Sequence, residues 1–181
     1  MRHTILPLLL AALLPAALAA QNGSGDTAAR IASALSAAPA SVTEHATVVE
    51  LDGTILRQGS NGWVCMPDNP ATPNDSPMCL DEAWRGFMDA YMSRRQPEFR
   101  GVGVAYMLQG DFPVSNTDPF ATAPGAGNQW VANSGPHVML IVADAALLEE
   151  LPTDPSNGGP WVMWKGTPYA HVMIPAPPVV K

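Results

Sequence analysis

Beyond its first twenty residues the chain offers three imidazoles, His45, His137 and His171, and one internal lysine, Lys165. Imidazole titrates near neutral pH and is the commonest nitrogen ligand for metals, so candidate chemistry starts from the histidines. Two of them open the same tripeptide pattern, His137-Val138-Met139 and His171-Val172-Met173. Residues 161–165 and 169–174 read as a hairpin over Gly166-Thr167-Pro168. In that register Lys165 opposes Tyr169, Met163 opposes His171 and Trp161 opposes Met173, all on one face. The opposite face carries Val162, Trp164, Ala170, Val172 and Ile174, wholly apolar, and is expected to face the core. Segment 137–142 divides the same way, with Val138, Leu140 and Val142 against His137, Met139 and Ile141.

If these strands are neighbours, both imidazoles stand on one side of one sheet. The leading expectation is a polar ligand pocket between that face and segment 110–136, formed by Asp118, His137, Lys165, Tyr169 and His171. Asp118 belongs because its loop feeds into segment 137–142; Lys165 marks the rim and attracts an anionic group. This reading requires neither cofactor nor catalysis. One alternative is a soft-metal site for copper through His137, Met139, Met163, His171 and Met173, since imidazole and thioether suit Cu(I). A second alternative is a small hydrolase-like enzyme with His137 or His171 as base, Asp118 orienting it and Lys165 stabilising an oxyanion, although no nucleophile is evident. The plainer reading, favoured over a site, is a second packing face with hydrogen-bonded histidines, because methionine fills irregular cores readily.

The chain carries no G-x-S-x-G, H-E-x-x-H or calcium loop, and Gly101-Val102-Gly103 stops short of a dinucleotide motif. A fainter pattern repeats: Thr117-Asp118-Pro119 precedes His137-Val138-Met139 as Thr153-Asp154-Pro155 precedes His171-Val172-Met173, with Trp130 and Trp164 at equal offsets from their histidines. Coincidence and a duplicated unit both remain open, and Asp-Pro is ordinarily turn chemistry.

Composition limits what these residues serve. Nine basic against sixteen acidic residues give a formal charge of −7, which excludes a phosphate-backbone footprint and hence nucleic acid. Apolar residues make up 47%, too many for a disordered chain. Met1-Arg2-His3 followed by an uncharged apolar run to the A-x-A site Ala17-Leu18-Ala19 reads as an export leader, cleaved after Ala19 or Ala20. The run is too short to span a bilayer comfortably and contains Pro7 and Pro15. The expected destination is the bacterial periplasm or exterior, with no membrane attachment after cleavage. In that oxidising setting Cys65 and Cys79 are expected to pair, with Cα atoms about 4.4–6.8 Å apart.

The scaffold follows from periodicity. Residues 27–38 predict a helix, and 47–51 and 54–57 a hairpin over Asp52-Gly53, with 63–65 a third strand. Leu80, Trp84, Phe87, Met88, Tyr91 and Met92 recur at three and four, predicting a helix over 77–95 capped by Ser76 with Pro77 first. Residues 101–109 alternate as a buried strand, 110–136 is a long irregular segment, and 144–150 is a short helix capped by Asp144. The expected fold is α+β: an antiparallel or mixed sheet packed on one main helix, with long loops and one disulfide. The expected organisation is a leader over 1–19, an N-terminal segment with a short helix over 20–45, one domain over 46–175 and an extended tail over 176–181.

Asn61-Gly62-Trp63-Val64-Cys65-Met66-Pro67-Asp68, Ser115-Asn116-Thr117-Asp118-Pro119-Phe120 and the stretch from Gly159 through Trp161, Met163, Trp164, Lys165 and Tyr169 to His171 resemble a family of small exported bacterial proteins. The resemblance covers most of the chain after Ala46 and implies export. That family has no established activity, so it implies no catalytic or binding residue. The leading functional expectation is therefore an exported soluble domain that binds a small ligand or a protein partner.

Overall fold

The disulfide accounts for a strand that helical spacing conceals. In the computed structural model, which describes residues 16–177, Cys65 and Cys79 are bonded across directly opposed positions of β3 (Val64–Met66) and β4 (Met78–Leu80). Their Cα atoms lie 4.0 Å apart, closer than expected, because the pair sits face to face on neighbouring strands. Residues 78–80 are thus sheet, and the predicted helix over 77–95 shortens to α3 (Glu82–Met92). Its cap is Asp81, not Ser76. One Asp81 carboxylate oxygen accepts from Trp84 N–H at 2.8 Å, and the other accepts from Val104 N–H at 2.6 Å. A single side chain therefore starts the helix and ties that start to β5 (Val102–Met107). The helix ends where Arg94 turns left-handed (φ 53°), with Arg95 N–H closing on Ala90 O.

The remaining strands are β1 (Thr47–Val49), β2 (Ile55–Arg57), β6 (Val114–Ser115), β7 (Trp130–Val131), β8 (His137–Val142), β9 (Trp161–Met163) and β10 (His171–Pro175). Eight of the ten strands form one sheet in the order β2-β1-β3-β4-β5-β8-β10-β9, while β6 and β7 pair as a separate ribbon inside the supposedly irregular 110–136 segment. The β1–β3 pairing is parallel and all others are antiparallel, so the sheet is mixed. The fold is α+β and dominated by its sheet.

Two helices, not one, cover it. From α1 (Ala16–Leu35), Ala34 packs with Val48, Cys65 and Cys79 on one face, extended by Val42 of the short α2 (Ala40–Thr43). On the other face Trp84 and Phe87 of α3 pack against Leu80, Ala105, Met107, Met139, Met163 and Met173. The expected helix over 27–38 stops at Leu35, and the leader expected over 1–19 lies largely outside the described residues. The last residues of the expected tail, 178–181, lie outside them too.

The hairpin register matches the sequence, with His171 opposite Met163 and Met173 opposite Trp161. The assignment of faces does not. The main core takes the Trp161, Met163, Tyr169 and Met173 side, while Val162 and Val172 form a lesser cluster under Leu148 and Leu151. Both faces are covered, so apolarity alone cannot choose between them. Beneath α3 the core is filled by aromatic and methionine side chains, beneath Leu148 by branched aliphatic ones.

Candidate functional site

The α3 face of the sheet is not filled solid. A cavity of about 390 Å³ remains, walled by β3, β4, β5, β8, β9 and β10, by α3, and by Asp111, Phe112 and Val114 at the start of the long segment. The chain has nine methionines, and all eight after Met1 line this space: Met66, Met78, Met88, Met92, Met107, Met139, Met163 and Met173. Trp84, Phe87, Tyr91 and Trp164 supply aromatic walls, and the rim includes Leu51, Met92 and Phe112, which are 52%, 73% and 37% exposed. Three of the six large apolar side chains exposed among the described residues thus ring one mouth. A second hollow near Gln96, Arg100 and Ala145 is larger, about 520 Å³, but neither histidine nor methionine lines it.

His171 forms part of the cavity wall, 2% exposed, boxed by Trp164, Trp84 and Phe87 at ring-centroid distances of 4.9, 5.5 and 6.2 Å. Burial pushes its imidazole down to about 4, so it is neutral near pH 7. Its Nδ1 donates to Tyr169 O at 2.9 Å, and His137, fully buried, makes the same bond to Gly135 O at 2.7 Å. A carbonyl can only accept, so each ring holds its proton on Nδ1 and leaves Nε2 as a lone pair. In His137 that Nε2 is buried with no hydrogen-bond partner. Burial lowers its pKa as well.

Trp164 sits at a left-handed backbone position (φ 55°) that a bulky side chain rarely adopts. Its surroundings hold it there: Nε1 donates to Ser115 O at 2.7 Å, its N–H donates to Asn116 O at 2.8 Å, and its ring stacks on Tyr91. Backbone strain of about 1–3 kcal/mol is thereby held at a cavity wall. Asn116, fully buried, does most of the tethering: its amide donates to Gln129 Oε1 and Thr153 O, and its carbonyl accepts from Trp161 Nε1. Neither Asn116 nor the methionine convergence is apparent from local spacing, although the count of nine methionines was available.

Of the five residues expected around a polar pocket, the structure brings only His171 to the cavity wall. Asp118 is exposed, and its carboxylate accepts from Phe120 N–H in a local turn. Asp154 forms the matching turn with Ser156 N–H. Lys165 is engaged elsewhere: its ammonium donates to Glu149 O at 2.7 Å and pairs with the Glu149 carboxylate at 3.8 Å. Tyr169 is core, its hydroxyl donating to Arg95 O. The space is apolar instead of polar. Its carboxyl is Asp111, which burial pushes up to about 7, with Ser134 Oγ donating to it at 3.4 Å. Asp118 orients neither imidazole; at both histidines a backbone carbonyl accepts from Nδ1 instead. Of the expected thioether and imidazole ligands, Met139, Met163, His171 and Met173 do line one space. Among the described residues no three His, Cys, Asp or Glu side chains cluster as a metal cage.

No protein-family model matches the chain, and neither a curated protein nor a solved structure is similar to it.

Proposed function

We propose that this is an exported, non-catalytic binding protein whose ligand is an apolar small molecule held in the methionine cavity. The observation that carries the reading is the convergence of eight methionines on one space open at an apolar rim. Methionine is unbranched and polarizable, and it conforms to ligands of varied shape at little cost. A volume of about 390 Å³ lies within the range of small-molecule pockets. Export is supported by the leader pattern over 1–19 and by the Cys65–Cys79 bond; among the described residues no helix is long and apolar enough to cross a membrane.

The test is fluorescence titration with 1-N-phenylnaphthylamine, an apolar probe that brightens when it leaves water. A saturable signal with one probe per chain and quenching of Trp84 and Trp164 is expected. Val114→Phe, which places a ring in the cavity, should weaken it. A wild-type protein that gives no saturable signal overturns the reading.

A further inference from the structure

Only five side chains in the cavity wall carry a nitrogen or an oxygen: Trp84, Tyr91, Asp111, Trp164 and His171. Their donors are spent or sealed. Tyr91 O–H donates to Pro119 O at 2.7 Å, Trp164 Nε1 to Ser115 O and His171 Nδ1 to Tyr169 O, while Trp84 Nε1 is wholly buried. What the wall keeps are acceptors, His171 Nε2 and the Asp111 carboxyl. No lysine or arginine stands among the lining residues, so the carboxyl has no counter-charge there.

Asp111 is positioned through its backbone. Asn74 Nδ2 donates to Asp111 O at 3.0 Å and to Ala132 O at 2.8 Å, which ties both flanks of the β6–β7 ribbon to the disulfide loop. The Asp111 side chain takes little part in holding the fold. Structural carboxylates elsewhere in the molecule make short bonds to the backbone: Asp81 accepts two, at 2.8 and 2.6 Å, and Asp68 accepts from Ser76 N–H at 2.8 Å. The Asp111 carboxyl has only Ser134 Oγ at 3.4 Å and the N–H of its neighbour Phe112. Phe112 belongs to the rim, so this thinly bonded, buried acid stands near the mouth. Buried carboxylates are ordinarily paired, and the pocket itself supplies no partner.

We infer that the ligand of the cavity is a lipophilic amine, with its hydrocarbon part among the methionines and its ammonium on Asp111. An ammonium carries donors and no acceptor, which matches a wall with acceptors and no free donor, and its bond to a carboxylate is charge-assisted. The aromatic faces of Trp84, Tyr91 and Trp164 favour a cation over an anion. The inference rests on the apolar-cavity reading and adds the chemistry of the ligand's polar end. Charge in the wall changes near neutrality at Asp111 alone. Burial raises its pKa to about 7 against two uncharged donors, whereas His171 is already neutral and burial raises the Tyr91 phenol above its usual value.

The experiment is calorimetric titration with octylammonium, 1-octanol and octanoate, which share one chain and differ in the head group. At pH 7.5 octylammonium should bind about 10-fold tighter than octanol, the scale of one charge-assisted bond, and octanoate should bind weakest. Octylammonium stays protonated through pH 8, as lysine does, so its affinity should rise about 10-fold from pH 6 to pH 8 as Asp111 ionises. In Asp111→Asn the ratio of octylammonium to octanol affinity should fall to about one or below and lose its pH dependence; taking the ratio within one protein cancels any change in folded fraction. Octanol binding to wild type as tightly as octylammonium, or a ratio unchanged by Asp111→Asn, overturns the amine assignment and leaves the apolar cavity standing. A wild-type octylammonium affinity that is flat from pH 6 to pH 8 overturns it without recourse to the variant. If none of the three compounds binds, the apolar-ligand reading falls as well.

Discussion

Asp111 is a carboxyl placed where a carboxylate is costly. It follows β5, is 5% exposed and forms part of the apolar cavity wall. Burial outweighs the opposing bonds from Phe112 N–H and Ser134 Oγ and raises its pKa to about 7. An unfolded aspartate titrates near 3.9, so the difference of about three units corresponds to about 4 kcal/mol. The folded form holds the proton more tightly. The favourable contribution is therefore complete below about pH 4 and is lost as pH rises toward 7. His171 acts in the opposite sense. Its pKa falls to about 4 from about 6.5, so its contribution is present above pH 6.5 and is lost, by about 3 kcal/mol, as pH falls toward 4. His137 adds to this in the same direction. The wild-type profile should consequently be shallow between pH 4 and 6.5, because the two effects offset each other. Asp111→Asn removes one of them. Urea unfolding of both proteins at pH 4 and pH 8 should show the variant gaining about 4 kcal/mol relative to wild type across that interval. A gap that stays constant with pH, or a variant that loses ground at pH 8, would refute the assignment of a buried neutral acid.

Other expectations are simpler. Trp84→Ala should cost about 3–5 kcal/mol in denaturant unfolding, since the ring is 2% exposed between α3 and the sheet; a loss below about 1 kcal/mol would place it outside the core. Gly86→Ala should stabilise by roughly 0.5–1 kcal/mol, because α3 gains helix propensity and a methyl there meets nothing within 4 Å. Gly59→Ala should destabilise severely in the same assay, because its methyl would fall 2.3 Å from the backbone of Ala46. Thiol titration of unfolded, unreduced protein should find no free thiol, and reduction should cost about 3 kcal/mol. Phenylnaphthylamine affinity should fall as pH passes 7, when ionised Asp111 draws water to the cavity wall, and Asp111→Asn should abolish that dependence.

Much of the scaffold was legible because local physics decides it. The register of β9 on β10, the bounds of β8 and the cap at Asp144, which accepts from Ala146 N–H, all follow from alternation and short turns. What misled were places where a distant partner overrides a local pattern. Residues 78–80 continue a helical spacing, yet the Cys79 bond to Cys65 and pairing on both sides make them a strand. Branched aliphatic residues look more interior than methionine and histidine, yet the main core takes the methionine side of β9 and β10. The larger cluster lies under α3, while Val162 and Val172 pack with Leu148 in a smaller one. Lys165 and Asp118 looked available because neither the Glu149 carbonyl nor the turn at Phe120 can be read from spacing. The methionine cavity is assembled from seven strands and one helix, and no window of sequence contains it.

The measurement that bears most directly on the proposed function is a methyl spectrum of ¹³C-methyl methionine protein titrated with phenylnaphthylamine. If the cavity is the binding site, buried Met107, Met139, Met163 and Met173 shift together with Met66, Met78, Met88 and rim Met92, all saturating at one equivalent. Shifts limited to exposed Met92, or none at all, would contradict it.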